Sequence, residues 1–395
     1  MYLPKYTITN TILKNVSLIE AAREVVENAA LVPAWEAKFR RDAVVRTVHY
    51  GTHLEGNPLS KEQVEAVVEE DDIREEGRGK KEEGEPSDAV LKPSSLYPLP
   101  SSFSSVVAKE RDIQEVLNYR EVLKFIDAKG VPIETGYGRV KADFIPYSLA
   151  DLREIHRLVS HKVLPPPEQG RLRRVQVIIR NKQNGEVIFR PPPPQAVPVQ
   201  LDEFFSWINS QDSRTKDHPV IRAAVTHWEL VRIHPFTDGN GRAARAMTLL
   251  VLFQEGYDVK RFFSIEQYYD QNPADYYTAL QSASAVKDGE ITGWLEYFSD
   301  GLAIELSRVK DRVLALSKDL KLKGKLGRQI ALSDRQIKIL EYLETGGGQL
   351  TTHDLTKVMR MVSRDTLLRD MNDLAKKGVV RKIGTTKSSR YILNE

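Results

Sequence analysis

Ile233-His234-Pro235-Phe236-Thr237-Asp238-Gly239-Asn240-Gly241-Arg242-Ala243-Ala244-Arg245 gathers a base, an acid, two glycines and two arginines into one short stretch. The run that follows, ARAMTLLVLF, is apolar and helical in pattern. Gly239 and Gly241 therefore flank the start of a helix, where backbone N–H groups lack intrahelical partners and can cradle an anion. Arg242 and Arg245 lie one turn apart on that helix and can grip different oxygens of a polyphosphate. Asp238 stands beside the cradle, placed to hold Mg²⁺ on the same phosphates. His234 adds a base that titrates near neutrality. The set describes activation of a hydroxyl for attack on a phosphate.

Working outward, the 395 residues suggest two or three domains. With 58 Lys and Arg against 55 Asp and Glu, the net charge of +3 announces no nucleic-acid binder, so any basic surface must be local. The absence of cysteine excludes a disulfide scaffold, a thiolate zinc site and a cysteine nucleophile, and suits a reducing compartment. No stretch approaches the roughly 18 apolar residues of a membrane span, so a soluble, cytoplasmic protein with no membrane partner is expected.

Helical patterns dominate the chain. Ser17-Leu18-Ile19-Glu20 and Ser60-Lys61-Glu62-Gln63 read as capping boxes opening helices, and another helix is expected from Ser148. Charge, glycine and proline over about 71–108 leave nothing to build a core, which predicts a mobile insertion. Between 170 and 189, RVQVIIR and EVIF are rich in β-branched residues and are joined by Asn181-Lys182-Gln183-Asn184-Gly185, the pattern of one β-hairpin. From the Ser333-Asp334-Arg335-Gln336 box onward the order is helix, Gly-rich turn, helix, Ser363-capped helix and two short strands, which predicts a winged helix-turn-helix. The fold class is thus mainly α: a helical bundle with one hairpin, plus a small C-terminal winged-helix domain.

The central stretch resembles the signature of the Fic family: HPF, any residue, Asp or Glu, GNGR, two residues, Arg. It matches at every fixed position. RAAVTHWELVRIHPF, the hairpin followed by prolines, FFSIEQYYDQNPADYYTAL, EVLNYREVLKFID and HLEGNPLS also stand in the family's order. The resemblance implies protein adenylyltransfer: AMP moves from ATP to a Ser, Thr or Tyr hydroxyl of a target protein or of the chain itself. It gives His234 as general base, Asp238 as the Mg²⁺ residue, Gly239, Asn240 and Gly241 as the anion cradle, and Arg242 and Arg245 as ligands of the β- and γ-phosphates. The hairpin corresponds to a flap that holds a target segment by strand addition. Adenine falls to the region of Gln271-Asn272 to Tyr276-Tyr277, with Asn272 a nucleotide-binding candidate; the two tyrosines serve equally well as core aromatics.

Gly51-Thr52-His53-Leu54-Glu55-Gly56-Asn57 resembles the family's N-terminal inhibitory motif, in which a glutamate pairs with the second arginine, here Arg245. The chain departs from the motif at its first position, where Gly51 replaces Ser or Thr and Thr52 is the nearest hydroxyl. The expected organisation is N-terminal helices with this motif (1–70), the insertion (71–108), a catalytic core (109–318), a linker (319–332) and the winged helix (333–395). Lys376, Lys377, Arg381, Lys382, Lys387 and Arg390 gather around the last domain's recognition helix and wing. Those charges suit DNA phosphates, and equally the solvated face of a dimerisation or target-recruitment module, so DNA and a second copy of the chain both stand as expected partners. Phosphorylation, phosphocholine transfer, and a DNA-binding regulator with a vestigial Fic domain are the competing readings.

Overall fold

The computed structural model describes residues 2–29, 31, 33–82, 106, 108–129, 133–135, 138–140, 144–180, 185, 187–258, 261–285, 289–323, 333–345, 349–359, 362–384 and 390–393. They divide into two compact units, residues 1–28 with 41–312, and residues 29–40 with 313–395. No described helix is long and apolar enough to cross a membrane.

In the first unit, α1 (Asn10–Glu27) starts at Thr9, whose hydroxyl accepts from the Ile12 N–H. The helix does not open at Ser17, as the capping pattern had predicted. Ser17 lies mid-helix and its hydroxyl donates to the Leu13 carbonyl. Burial of Ile12, Asn15, Ile19, Ala22 and Val26 along one face sets the helix's extent, and Asn15 bonds Ser299 across the core at 3.1 Å. Next come α2 (Pro33–His53), α3 (Lys61–Glu82) and α4 (Glu110–Lys129). Ser60 and Gln63 cap α3 reciprocally, as the sequence predicts. That helix runs on into the segment expected to be mobile, because Val64, Val67 and Val68 bury one face and Asp71 and Asp72 pair with the buried Arg120 of α4. Residues 83–105 of the expected insertion lie outside the described residues.

A short antiparallel hairpin, β1 (Ile133–Thr135) with β2 (Gly138–Val140), was not anticipated. After α5 (Leu149–Val159), opened by a Ser148–Asp151 capping box, comes the expected hairpin of β3 (Ile179–Arg180) and β4 (Val187–Phe189). Its strands are shorter than the sequence suggests, and most of its turn lies outside the described residues. The unit continues with α6 (Val197–Asn209), α7 (Gln211–Lys216), α8 (Pro219–Ile233), α9 (Asn240–Gln254), α10 (Ile265–Gln271), α11 (Pro273–Ala285) and the long α12 (Thr292–Lys323), which belongs to this unit as far as Arg312. Helices α8 and α9 pack against each other, α9 is almost wholly buried, and the HPF loop joins them. The loop is therefore set between two central helices.

In the second unit, α13 (Asp334–Thr345), β5 (Gln349–Thr351), α14 (Thr352–Val358), α15 (Arg364–Lys376), β6 (Val380–Ile383) and β7 (Arg390–Leu393) follow one another, and β5 is a strand that the sequence reading did not anticipate. Their sheet is antiparallel with order β5-β7-β6. Ile339, Leu343, Leu355, Leu367, Met371 and Leu374 form its core. Reciprocal Ser333–Gln336 bonds cap α13, and Ser363 caps α15.

Candidate active site

His234 ends α8 in the left-handed conformation (φ 52°, ψ 61°), which costs free energy for a residue bearing a Cβ. Arg173 holds the turn there. Its Nε donates to the His234 carbonyl at 2.7 Å, other guanidinium nitrogens reach the Val175, Pro192 and Ile233 carbonyls, and its backbone N–H donates to Pro235. The next bend closes on itself: Asn240 accepts from the Phe236 N–H at 2.8 Å and donates to the Phe236 carbonyl at 3.0 Å. Phe236 stacks on His156 at 3.7 Å between ring centroids. His156 accepts the Gly170 N–H at Nδ1, so Nε2 carries the proton that it donates to the Asp238 carbonyl. His156 is a structural group. Burial keeps it neutral, its pKa lowered to about 4.

The loop leaves His234 with one free nitrogen. Nδ1 lies 3.2 Å from the Val231 carbonyl and must donate to it, which assigns the lone pair to Nε2. Burial lowers the imidazole's pKa below its usual value, against the Val231 bond and with help from the Arg173 cation. His234 is thus neutral at pH 7 and able to accept a proton. His227, seven residues earlier on α8, bonds Tyr276 at 2.9 Å, and the described residues contain no cluster of three His, Asp or Glu able to hold a metal alone.

Gly239 takes φ 74° at the entry to α9, and no side chain caps that helix. The bare backbone at Gly241 is covered instead by Glu55: a Cβ at 241 would lie 2.3 Å from Glu55 Oε1. Glu55 Oε1 also accepts from Arg245 Nη2 at 2.7 Å. Burial opposes ionisation of this carboxyl, yet Arg245 and then Arg242 outweigh it and hold Glu55 below the usual carboxylate range. A carboxylate therefore occupies the helix end and the guanidinium that the sequence assigns to phosphate. Arg242 lies 3.3 Å from Glu115 Oε1, but its buried Nε and Nη1 have no hydrogen-bond partner, nor has Nε of Arg245. Buried donors without acceptors are costly, and a phosphate at this helix end would satisfy them. Asp238 is exposed, and one of its oxygens accepts the Gly239 N–H at 2.7 Å.

The motif that carries Glu55 is explained by its surroundings. Gly56, at φ 98°, ends α2, and Asn57 ties that end to α4 through the Asp112 carbonyl and Glu115. Gly51, where the family's motif has Ser or Thr, faces the Tyr119 ring, and a Cβ there would come within 2.8 Å of it. Its carbonyl accepts from the same Arg245 Nη2 at 2.9 Å. Thr52 offers no substitute hydroxyl, because its own donates to Val48 and His49 in the helix. Behind Arg245, Tyr119 reaches Glu266, a fully buried carboxyl that burial raises to about 7. Arg173, Tyr119 and Glu266 carry no local sequence signal for these roles.

Asn272 sits between α10 and α11, where its side chain bonds Asp275 and caps the second helix. Tyr276 is a core residue stacked on Tyr269, which settles one alternative left open by the sequence. Tyr277 is 44% exposed, and its hydroxyl reaches the Leu54 carbonyl beside Glu55.

A helical bundle presenting a histidine-bearing loop and a bare helix end defines a known class. Residues 146–252 match the Fic/DOC family. The chain is 36% identical over 186 residues to the protein adenylyltransferase Fic of Aedes aegypti, an alignment covering 47% of this chain and 32% of that protein. It is 27% identical over 288 residues to the protein of the same name from Culex quinquefasciatus, covering 73% and 46%. The chain thus spans less than half the length of these curated relatives. Among solved structures, a Fic family protein from Desulfovibrio desulfuricans G20 superposes with a TM-score of 0.59 at 23% identity, covering 99% of this chain and 98% of the other. Fic-1 of Caenorhabditis elegans gives 0.52 at 22% identity, covering 78% and 73%. These structures share the fold.

Proposed function

We propose that the chain is a protein adenylyltransferase that moves AMP from ATP to a protein hydroxyl and is restrained by Glu55. The observation that carries this reading is the juxtaposition of a neutral His234, its Nε2 free, with a helix end that no side chain caps and two buried arginines, each keeping guanidinium nitrogens without a hydrogen-bond partner. The target hydroxyl oxygen attacks the α-phosphorus while Nε2 of His234 takes the hydroxyl proton. The bond from the α-phosphorus to the bridging oxygen breaks and pyrophosphate leaves, its charge held by Arg242, Arg245 and the N–H groups at Gly241. Asp238 fits a magnesium ion of the kind that nucleotides bring with them, one carboxylate being enough where phosphates and water complete the shell. Such an ion would neutralise phosphate charge. Asn272 and Tyr277 are the adenine-side candidates. An ATP-rich, reducing cytoplasm suits the substrate and the cysteine-free chain.

Incubation with ATP labelled at either the α- or the γ-position, with mass spectrometry of the products, tests the chemistry. Label from the α-position with an added AMP mass is expected. Label from the γ-position would make the protein a kinase, and no label from either would remove nucleotide transfer altogether.

A second activity is proposed for the C-terminal unit, where Arg364, Arg381, Lys382 and Arg390 are exposed on or beside α15 and the β6–β7 strands. This face suits a polyanion such as duplex DNA. With Z phosphates contacted, log affinity should fall against log salt with a slope of about −0.9Z. Absence of binding at low salt, with self-association in sedimentation, would assign the face to homodimerisation.

A further inference from the structure

An open cleft of about 1010 Å³ lies between α5, the 169–174 segment and the chain returning from the β3–β4 hairpin. Its charge is one-sided. Arg153, Arg171 and Arg174 line it, are exposed, and make no ion pair among the described residues. The one acidic lining residue, Glu154, is already neutralised by Arg157 at 2.6 Å. Arg173, in the same wall, is 3% exposed, and its guanidinium bonds only backbone carbonyls, so that cation too has no carboxylate opposite it. Three exposed arginine charges therefore face one cleft uncompensated, with the buried Arg173 cation in the wall behind them. Such a surface raises the local concentration of anions.

The occupant's class follows from what surrounds the charges. No aromatic side chain lines the cleft, so it lacks the stacking platforms that hold single-stranded nucleic acid. Beside it, Val175, Ile178 and Val187 of the hairpin region are exposed. Apolar side chains on an extended segment next to free arginines match a polypeptide with acidic residues. Arg173 joins the cleft to the site, one nitrogen lying 2.7 Å from the His234 carbonyl.

We infer that this cleft selects the protein substrate, binding acidic residues that flank the hydroxyl presented to His234. The inference rests on the adenylyltransfer reading for its biological meaning but not for its measurement. Fluorescent threonine-centred peptides, identical except that the flanking residues are glutamate or glutamine, are titrated with the full chain without nucleotide. They are then offered as substrates with α-labelled ATP to the chain carrying Glu55→Gly. The glutamate peptide should bind tighter and show a lower KM, by roughly tenfold, with kcat little changed. Replacing Arg153, Arg171 and Arg174 together by glutamate should abolish that preference and favour a lysine-flanked peptide, while ATP binding is retained. All three side chains are exposed, so the fold should tolerate the change.

Equal binding of the two peptides, a preference that survives the triple replacement, or tighter occupation of the cleft by single-stranded RNA would each overturn the inference. If the preference is seen in binding but no AMP is transferred to anything, the transfer reading fails and the docking site stands. If AMP reaches both peptides with one KM, the docking site fails and the transfer reading stands.

Discussion

Replacing His234 with alanine is expected to lower AMP transfer by about 10²- to 10⁴-fold, the range associated with loss of a general base. ATP affinity should barely change. The imidazole makes one hydrogen bond, to the Val231 carbonyl, while the donors proposed for phosphate lie on the first turns of α9. The backbone bonds that Arg173 makes to the loop do not require the imidazole, so the helix end should keep its shape. Single-turnover transfer measured beside equilibrium ATP binding checks both halves. Lost ATP binding with unchanged turnover would reverse the roles assigned to His234 and the arginines.

Glu55→Gly should act in the opposite direction and raise transfer by roughly 10- to 100-fold. Its carboxylate covers Gly241 and bonds Arg245 at 2.7 Å, so a γ-phosphate must compete for the same nitrogen. A hydrogen bond between charged groups contributes about 1.5–3 kcal/mol, which sets that range. The side chain is 29% exposed, and the lower half of the range is the better expectation. Adding Arg245→Ala should remove the gain, because the glutamate acts through that arginine. Equal rates for Glu55→Gly and the unaltered chain at every ATP concentration would leave Glu55 a structural helix-end residue.

The stretch from His234 to Arg245 was legible because its chemistry is local: bare glycines, a helix start and two arginines a turn apart. The same holds for the Ser60, Ser148 and Ser333 caps, where donor and acceptor are three residues apart. What depended on distant partners was not legible. Thr9 starts α1 without a glutamate or glutamine reaching back, so Ser17, which has the fuller pattern, was the misleading choice. Arg173 is one arginine in RLRRV, and only the fold brings it to the carbonyls near His234. Gly51 read as a defect in a motif. Its reason, the Tyr119 ring, lies far along the chain. Asp71 and Asp72 fell at the start of the stretch expected to be mobile, whereas Arg120 gives them a buried cation.

Arg245 is held twice, by Glu55 and by the carbonyl of Gly51 one turn earlier on the same helix. When the carboxylate leaves, the second hold remains, so the guanidinium is not released to wander and the site need not be rebuilt. On the restraint proposed above, relief would then involve little more than the Glu55 side chain changing rotamer. Such motion takes picoseconds to nanoseconds, not the microseconds to milliseconds of a domain rearrangement. On the proposed restraint, the response time would accordingly be set by how long Glu55 stays away from Arg245, and a brief departure would leave no memory.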